Sequence, residues 1–107
     1  MINDFLALVR ELVRRGEIRI SEHGYDELVS DGLTAREVVA GVEDALLVEE
    51  YPGYHKGPCI LLLQKDCRGD PVHVVWGIPG GYNKPAVLVT AYRPDIARWD
   101  ENYLKRR

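Results

Sequence analysis

The segment Cys59-Ile60-Leu61-Leu62-Leu63-Gln64-Lys65-Asp66-Cys67-Arg68-Gly69-Asp70-Pro71-Val72-His73-Val74-Val75-Trp76-Gly77-Ile78 reads as a β-hairpin. Two runs rich in branched and aromatic residues flank Arg68-Gly69-Asp70-Pro71, a composition that reverses the chain. Pairing Lys65 with Val72, Leu63 with Val74 and Leu61 with Trp76 puts those six residues and Ile78 on one face, because strand side chains alternate. Gln64, Leu62, Ile60, His73, Val75 and Gly77 then share the other face. The first face is expected to be the core face, and the second carries the one histidine inside a strand. A two- or four-residue turn gives this parity, and a three-residue turn would break it.

The chain has 107 residues, enough for a single domain with one modest core. It is 46% hydrophobic and 29% charged, the balance of a soluble globular protein. No apolar run approaches a membrane span, and Asp4 and Glu11 interrupt any signal-peptide pattern, so a cytoplasmic location is expected. Cys59 and Cys67 fall on one expected strand. Eight residues of strand span roughly 26 Å, which excludes a bond between them and suits a reducing compartment. The net charge of −3 is mild evidence against a general nucleic-acid binder. Its distribution is uneven: Arg10, Arg14, Arg15 and Arg19 cluster early, and Lys105, Arg106 and Arg107 come at the end.

The elements before the hairpin read as helices. Asn3 can cap a first helix running to about Arg15, with Phe5, Leu8, Val9, Leu12 and Val13 on one face. Arg10 and Arg14 lie off that face, as a solvated stripe or a phosphate-facing one. Ile18-Arg19-Ile20 is a short extended piece suited to a sheet edge. Ser21 caps a second helix from Glu22 to about Asp31, with Tyr25, Leu28 and Val29 as its apolar residues and His23 in its first turn. Thr34-Ala35-Arg36-Glu37 is a capping box that starts a third helix, with Val38, Val39 and Val42 pointing inward. Ala45 to Tyr51 reads as a strand, and Pro52 to Pro58 as a loop.

After the hairpin, Pro79 to Pro85 is a loop and Ala86 to Tyr92 the last strand. Strict alternation puts Val87, Val89 and Ala91 on one face and Leu88, Thr90 and Tyr92 on the other. Ile96, Trp99 and Tyr103 suggest a short C-terminal helix capped by Asp95. The expected fold is α+β: N-terminal helices packed on one face of an antiparallel meander of about four strands, with that short helix at the end.

Several of these pieces, taken in order, resemble a known family: Ile20-Ser21-Glu22-His23, Asp31-Gly32-Leu33-Thr34, Val48-Glu49-Glu50-Tyr51-Pro52, Val72-His73-Val74-Val75 and Val89-Thr90-Ala91-Tyr92-Arg93-Pro94, followed by Trp99. The pattern looks like the small prokaryotic family called domain of unknown function 4258, over about Ile18 to Trp99. That family resembles RelE-like and MqsR-like toxins of toxin–antitoxin modules. The resemblance implies a RelE-like fold and metal-independent cleavage of RNA, in which the 2′-hydroxyl attacks its own phosphorus. It also implies a small antitoxin partner of zinc-ribbon or helix-turn-helix type, and it is compatible with a homodimer. Glu27 and Asp31 stand where family members commonly carry arginine. That departure gives the alternative reading of a non-catalytic protein-binding module on the same fold.

The candidate catalytic residues are His23, His73 and Tyr92, set against their roles as backbone-bonded or packing groups. The candidate substrate-binding residues are Arg93, Lys56 and His55. Arg93 could hold phosphate or pair with a surface carboxylate, while His55 and Lys56 lie on a loop between Gly53 and Gly57. Gly80-Gly81 is followed by no helix and is rejected as a phosphate cradle. There is no Cys-x-x-Cys and no histidine pair at ligand spacing, so neither a metal nor another cofactor is expected.

Overall fold

The computed structural model describes residues 2–107. The chain runs α1 (Ile2–Arg14), β1 (Ile18–Ile20), α2 (Glu22–Ser30), α3 (Ala35–Ala40), a 3-10 turn (Gly41–Asp44), β2 (Leu46–Tyr51), β3 (Cys59–Lys65), β4 (Pro71–Gly77) and β5 (Ala86–Tyr92). The sheet order is β1-β5-β4-β3-β2. Strands β2 to β5 form the expected four-stranded antiparallel meander, and β1 adds to its edge in parallel with β5. The fold is therefore α+β with a mixed five-stranded sheet.

The caps follow the sequence. Ser21 Oγ accepts from Gly24 N at 2.9 Å and opens α2. Thr34 and Glu37 complete a capping box at the start of α3. Helix α1 begins at Ile2, so Asn3 lies inside the helix and not before it. Arg10 donates to the carbonyls of Val42 and Ala45 at 3.1 and 2.8 Å, and Arg14 makes two bonds to Glu43. The N-terminal arginines thus tie α1 to the 3-10 turn and form no phosphate stripe.

The hairpin register differs by one residue from the expected one. Val72 faces Gln64, Val74 faces Leu62 and Trp76 faces Ile60. The cause is an odd loop: Asp66 to Asp70 separates the paired residues Lys65 and Pro71. Asp66 Oδ1 accepts from the backbone of Arg68 and Asp70, each at 2.9 Å, and Gly69 takes φ +85°. An odd loop inverts the faces of one strand against the other. Gln64, Leu62 and Ile60 therefore join Trp76 under the helices, while Leu61 and Leu63 join His73 on the opposite face.

Gln64 is tolerated there because both polar atoms of its amide have a partner. Its Nε2 donates to Val38 O at 2.7 Å, and its Oε1 accepts from Trp76 Nε1 at 3.0 Å. Around that pair the core gathers Val9 and Leu12 of α1, Leu28 of α2, and Leu62, Val74 and Leu88 of the sheet.

The alternation expected in β5 is also broken. Thr90 pairs with Val75 but Leu88 pairs with Trp76, so Val89 is an extra, bulged residue. Leu88 and Ala91 both serve the helix side, and Tyr92 lies directly opposite His73. In α2 only Leu28 of the expected apolar set is buried, and Tyr25 and Val29 are exposed.

No C-terminal helix forms. Asp95 holds a turn through Ala97 N at 2.9 Å, and Trp99 then makes an isolated antiparallel bridge with Arg106. Asp100 Oδ1 accepts from Asn102 N and Leu104 N, and Tyr103 adopts φ +61°. A side chain that bonds its own following backbone competes with the helix, so the Ile96–Trp99–Tyr103 spacing is satisfied by a folded-back segment. Cys59 is buried and Cys67 lies in the hairpin loop; both are free thiols.

Candidate functional site

The sheet face away from the helices has two halves. One half is occupied. His73 is fully buried, with Nε2 2.8 Å from the Tyr103 carbonyl and Nδ1 3.2 Å from the Tyr92 hydroxyl. A carbonyl can only accept, so Nε2 carries the proton and Nδ1 accepts from Tyr92. Trp99 stands edge-on to the imidazole, with ring centroids 4.4 Å apart. Burial lowers the His73 pKa, against the opposing bond to Tyr103 and the charge of Glu49. Burial likewise raises the Tyr92 pKa. The structure brings these two expected site residues together, but as a satisfied pair under the C-terminal segment.

The other half is open. A cleft of about 450 Å³ lies over the Gly77 end of the sheet, and Arg19, His23, Tyr54 and Lys56 line it together with the carboxylate of Glu22. Its floor includes Cys59, Gly77, Val87 and Val89. Ile18 and Ile20 pair with Ala86 and Leu88 on the helix side, so Arg19 between them projects to the open side. His23 arrives on the first turn of α2. That turn lies so close to β5 that a side chain at Gly24 would meet the Leu88 carbonyl at 2.7 Å. Ser21 holds the same junction through bonds to the Leu88 and Val89 carbonyls.

Lys56 is fixed from the opposite wall. Its carbonyl accepts from Gly80 N at 3.0 Å. Its neighbour Gly57 takes φ +133° and passes so near Ile78 that an added Cβ would lie 2.3 Å from that carbonyl.

Several cations elsewhere in the chain are held by carboxylates. Arg14 is committed to Glu43, Arg93 to Asp66 and Arg106 to Glu49. Among the described residues, Arg19 and Lys56 make no ion pair. The His23 ring, 68% exposed, lies 3.6 Å from Glu27 at one helical turn. Positive groups with unused hydrogen-bonding capacity, above an apolar floor and beside an exposed tyrosine, suit a ligand that carries both phosphate and a flat ring.

The remaining expected residues lie elsewhere. His55 is exposed with its ring 4.6 Å from Tyr54, just outside the cleft lining. Arg93 lies outside the cleft and is tied to two acidic residues, with its Nη2 left without a protein partner. Its Nη1 donates to Asp66 at 2.9 Å, its backbone N to Asp31 Oδ2 at 3.0 Å, and its Nε to the Asp31 carbonyl at 3.4 Å. Of the two acids at arginine positions, Asp31 thus anchors the end of β5, and Glu27 pairs with His23. His23 and His73 do not share a site: His73 and the Gly77 end of β4 that the cleft covers are four residue steps apart, about 13 Å.

Sequence reading missed Arg19 and Tyr54. The signal for Arg19 was a charged residue between two isoleucines on an edge strand. That for Tyr54 was an aromatic residue in a loop of glycines and prolines.

A larger hollow of about 730 Å³ runs beside α3, lined by Glu37, Gly41, Gln64 and Cys67 among others. It holds no histidine, and Glu37 is spent on Thr34 and on Cys67 N. Among the described residues no group of three histidine, cysteine or acidic side chains could hold a metal ion. None of the described helices is long and apolar enough to cross a membrane.

These features define a small α+β domain with a polar cleft of mixed charge at one end of its sheet. Residues 20–93 match the family model described as Domain of unknown function (DUF4258), and the chain belongs to that family. The chain matches no curated protein and no solved structure.

Proposed function

We propose that this protein is a RelE-like toxin component of a toxin–antitoxin module, a metal-independent endoribonuclease acting on single-stranded RNA at the Arg19–His23–Lys56 cleft. The observation that carries the reading is the convergence of His23, Arg19 and Lys56, from three separate segments, on one open cleft next to Tyr54. In the proposed reaction the neutral His23 imidazole takes the proton from a ribose 2′-hydroxyl. The 2′-oxygen bonds to the adjacent phosphorus, and the bond from phosphorus to the 5′-oxygen breaks. The 5′-oxygen leaves with a proton from the Lys56 ammonium, and a 2′,3′-cyclic phosphate remains. Arg19 offsets the charge that builds on the non-bridging oxygens, and Tyr54 stacks a base. His73 and Tyr92 act in this scheme as packing groups of the adjoining half-sheet. The partner would be a small antitoxin of zinc-ribbon or helix-turn-helix type, and the site of action the cytoplasm.

The test is induced expression in bacteria of the wild type, His23→Ala and Lys56→Ala, at matched protein levels. Growth arrest with fragmented RNA in the wild type, lost in both variants, is expected. Normal growth with intact RNA from the wild type would overturn the reading.

A second reading, a non-catalytic protein-binding module, draws on the exposed apolar residues Tyr25 and Val29 on α2. It requires that His23→Ala leave every phenotype unchanged, while Tyr25→Ser/Val29→Ser abolishes capture of the partner.

A further inference from the structure

The family match ends at residue 93, and residues 94–107 lie outside it. Those residues do not extend away from the domain. They fold back across the sheet face that the helices leave free, over the half next to the cleft. Trp99, only 3% exposed, is the wedge, set edge-on against His73. The Tyr103 carbonyl accepts a hydrogen bond from His73 Nε2, and Tyr103 itself holds a left-handed φ of +61°, an uncommon conformation for a non-glycine residue. Arg106 fastens the end of the segment. It makes two bonds to Glu49 of β2, at 2.7 and 3.0 Å, and its guanidinium lies 4.7 Å from the centre of the Trp99 ring. Tyr51 also bonds Glu49, so both sides of the fastening are held.

We propose that residues 94–107 are a specificity element: a strap that occupies, in cis, the half of the sheet face which a longer nucleic-acid strand would otherwise cover. The inference rests on the RNA reading above and adds to it a limit on how much strand the site accepts. Beneath the strap lie His73 and Tyr92, two flat rings on the same face as the cleft floor. A strand running from the cleft along β4 would meet them next. With the strap docked, Trp99 and Tyr103 take the contacts that a second base would make. The site is therefore short, bounded by Trp99 at one end and by the Tyr54–Lys56 loop at the other.

The test uses the full chain with Trp99→Ala and, as a milder change that leaves the ring in place, Arg106→Ala. Circular dichroism checks the fold of each. Strap position is read without any nucleic acid, from the rate at which diethyl pyrocarbonate modifies His73, located by mass spectrometry. Binding is read by anisotropy with 2′-O-methyl oligoadenylates of two and eight nucleotides, whose blocked 2′-oxygen prevents cleavage.

In the wild type His23 and His55 should react and His73 should not, and the two oligonucleotides should bind alike. In Trp99→Ala, His73 should become reactive and the octamer should bind about tenfold more tightly with the dimer unchanged, the effect of one more stacked base. Arg106→Ala should move both readouts in the same direction by a smaller factor. A His73 that stays protected in both folded variants overturns the strap. So does a reactive His73 with no change in length dependence. If no protein binds either oligonucleotide, the RNA reading fails, and the specificity role fails with it, whatever His73 does.

Discussion

Replacing Gln64 with alanine tests the one-residue register of the central hairpin. Gln64 is 2% exposed and joins three elements: its amide donates to the Val38 carbonyl on α3 and accepts from the Trp76 indole on β4. Trp76 has no exposed surface, so an indole N–H without a partner stays without one. An unsatisfied buried group costs about 1–3 kcal/mol, and here one donor and one acceptor lose their partner. The lost side chain also leaves a void, partly open to collapse because Gly41 lies against the amide. The sum is about 3–4 kcal/mol, a large share of the about 5–15 kcal/mol that holds such a domain together. Gln64→Leu, which keeps the volume and removes both bonds, should cost about 2–3 kcal/mol. The assay is urea unfolding followed by tryptophan fluorescence, comparing midpoints at a common slope. In the register expected from plain alternation, Gln64 would sit on the open face and its loss would cost less than about 0.5 kcal/mol. A value that small would refute the register and the helix-side placement of Gln64.

Stability should fall as the pH drops below 6.5, the ordinary histidine value, because burial holds the His73 pKa lower in the folded state. The unfolded chain then binds the proton first, so stability is full above 6.5 and declines towards the folded pKa. Urea midpoints at pH 7.5 and 5.5 check this, and His73→Gln should flatten the dependence. Gly57→Ala should destabilise by more than about 2 kcal/mol, since it combines a positive φ with a collision at the Ile78 carbonyl, whereas Gly53→Ala, with open space around it, should be near neutral in the same assay. The Cys67 thiol is exposed, but its hydrogen bond and charge interaction with Glu37 raise its pKa. Alkylation at pH 7 should therefore be slower than for a free thiol, and faster in Glu37→Gln.

The fold was readable where local chemistry and pattern agree. Ser21 and the Thr34–Glu37 box state their helices directly, and the Val-rich runs of β4 and β5 state the meander. The register was not readable from alternation, because it depends on a five-residue loop organised by the Asp66 carboxylate. No periodicity records that side-chain-to-backbone bonding. The Val89 bulge failed to show for a similar reason: an extra residue in a continuous Val-Leu-Val run leaves the hydrophobic pattern intact.

Ile96, Trp99 and Tyr103 kept helical spacing in a segment that is not helical, because Asp100 captures its own following amides. Among the site residues, His23 and Lys56 were legible as polar residues at a helix start and in a glycine-bounded loop. Arg93 was ambiguous in sequence and became structural only through Asp66 and Asp31, which lie 27 and 62 residues away. His73 and Tyr92 stand directly opposite each other on β4 and β5. What covers their face lies in the C-terminal segment, whose path depends on tertiary contacts.

RNA cleavage at the Arg19–His23–Lys56 cleft by attack of the 2′-hydroxyl is the proposed activity. The most direct measurement is mass analysis of the products when the purified full chain is incubated with a short single-stranded RNA, beside its folded His23→Ala variant. Fragments ending in a 2′,3′-cyclic phosphate are expected from the wild type, with a loss of roughly a hundredfold or more in rate without His23. Intact RNA from the wild type, or equal cleavage by the variant, would contradict it.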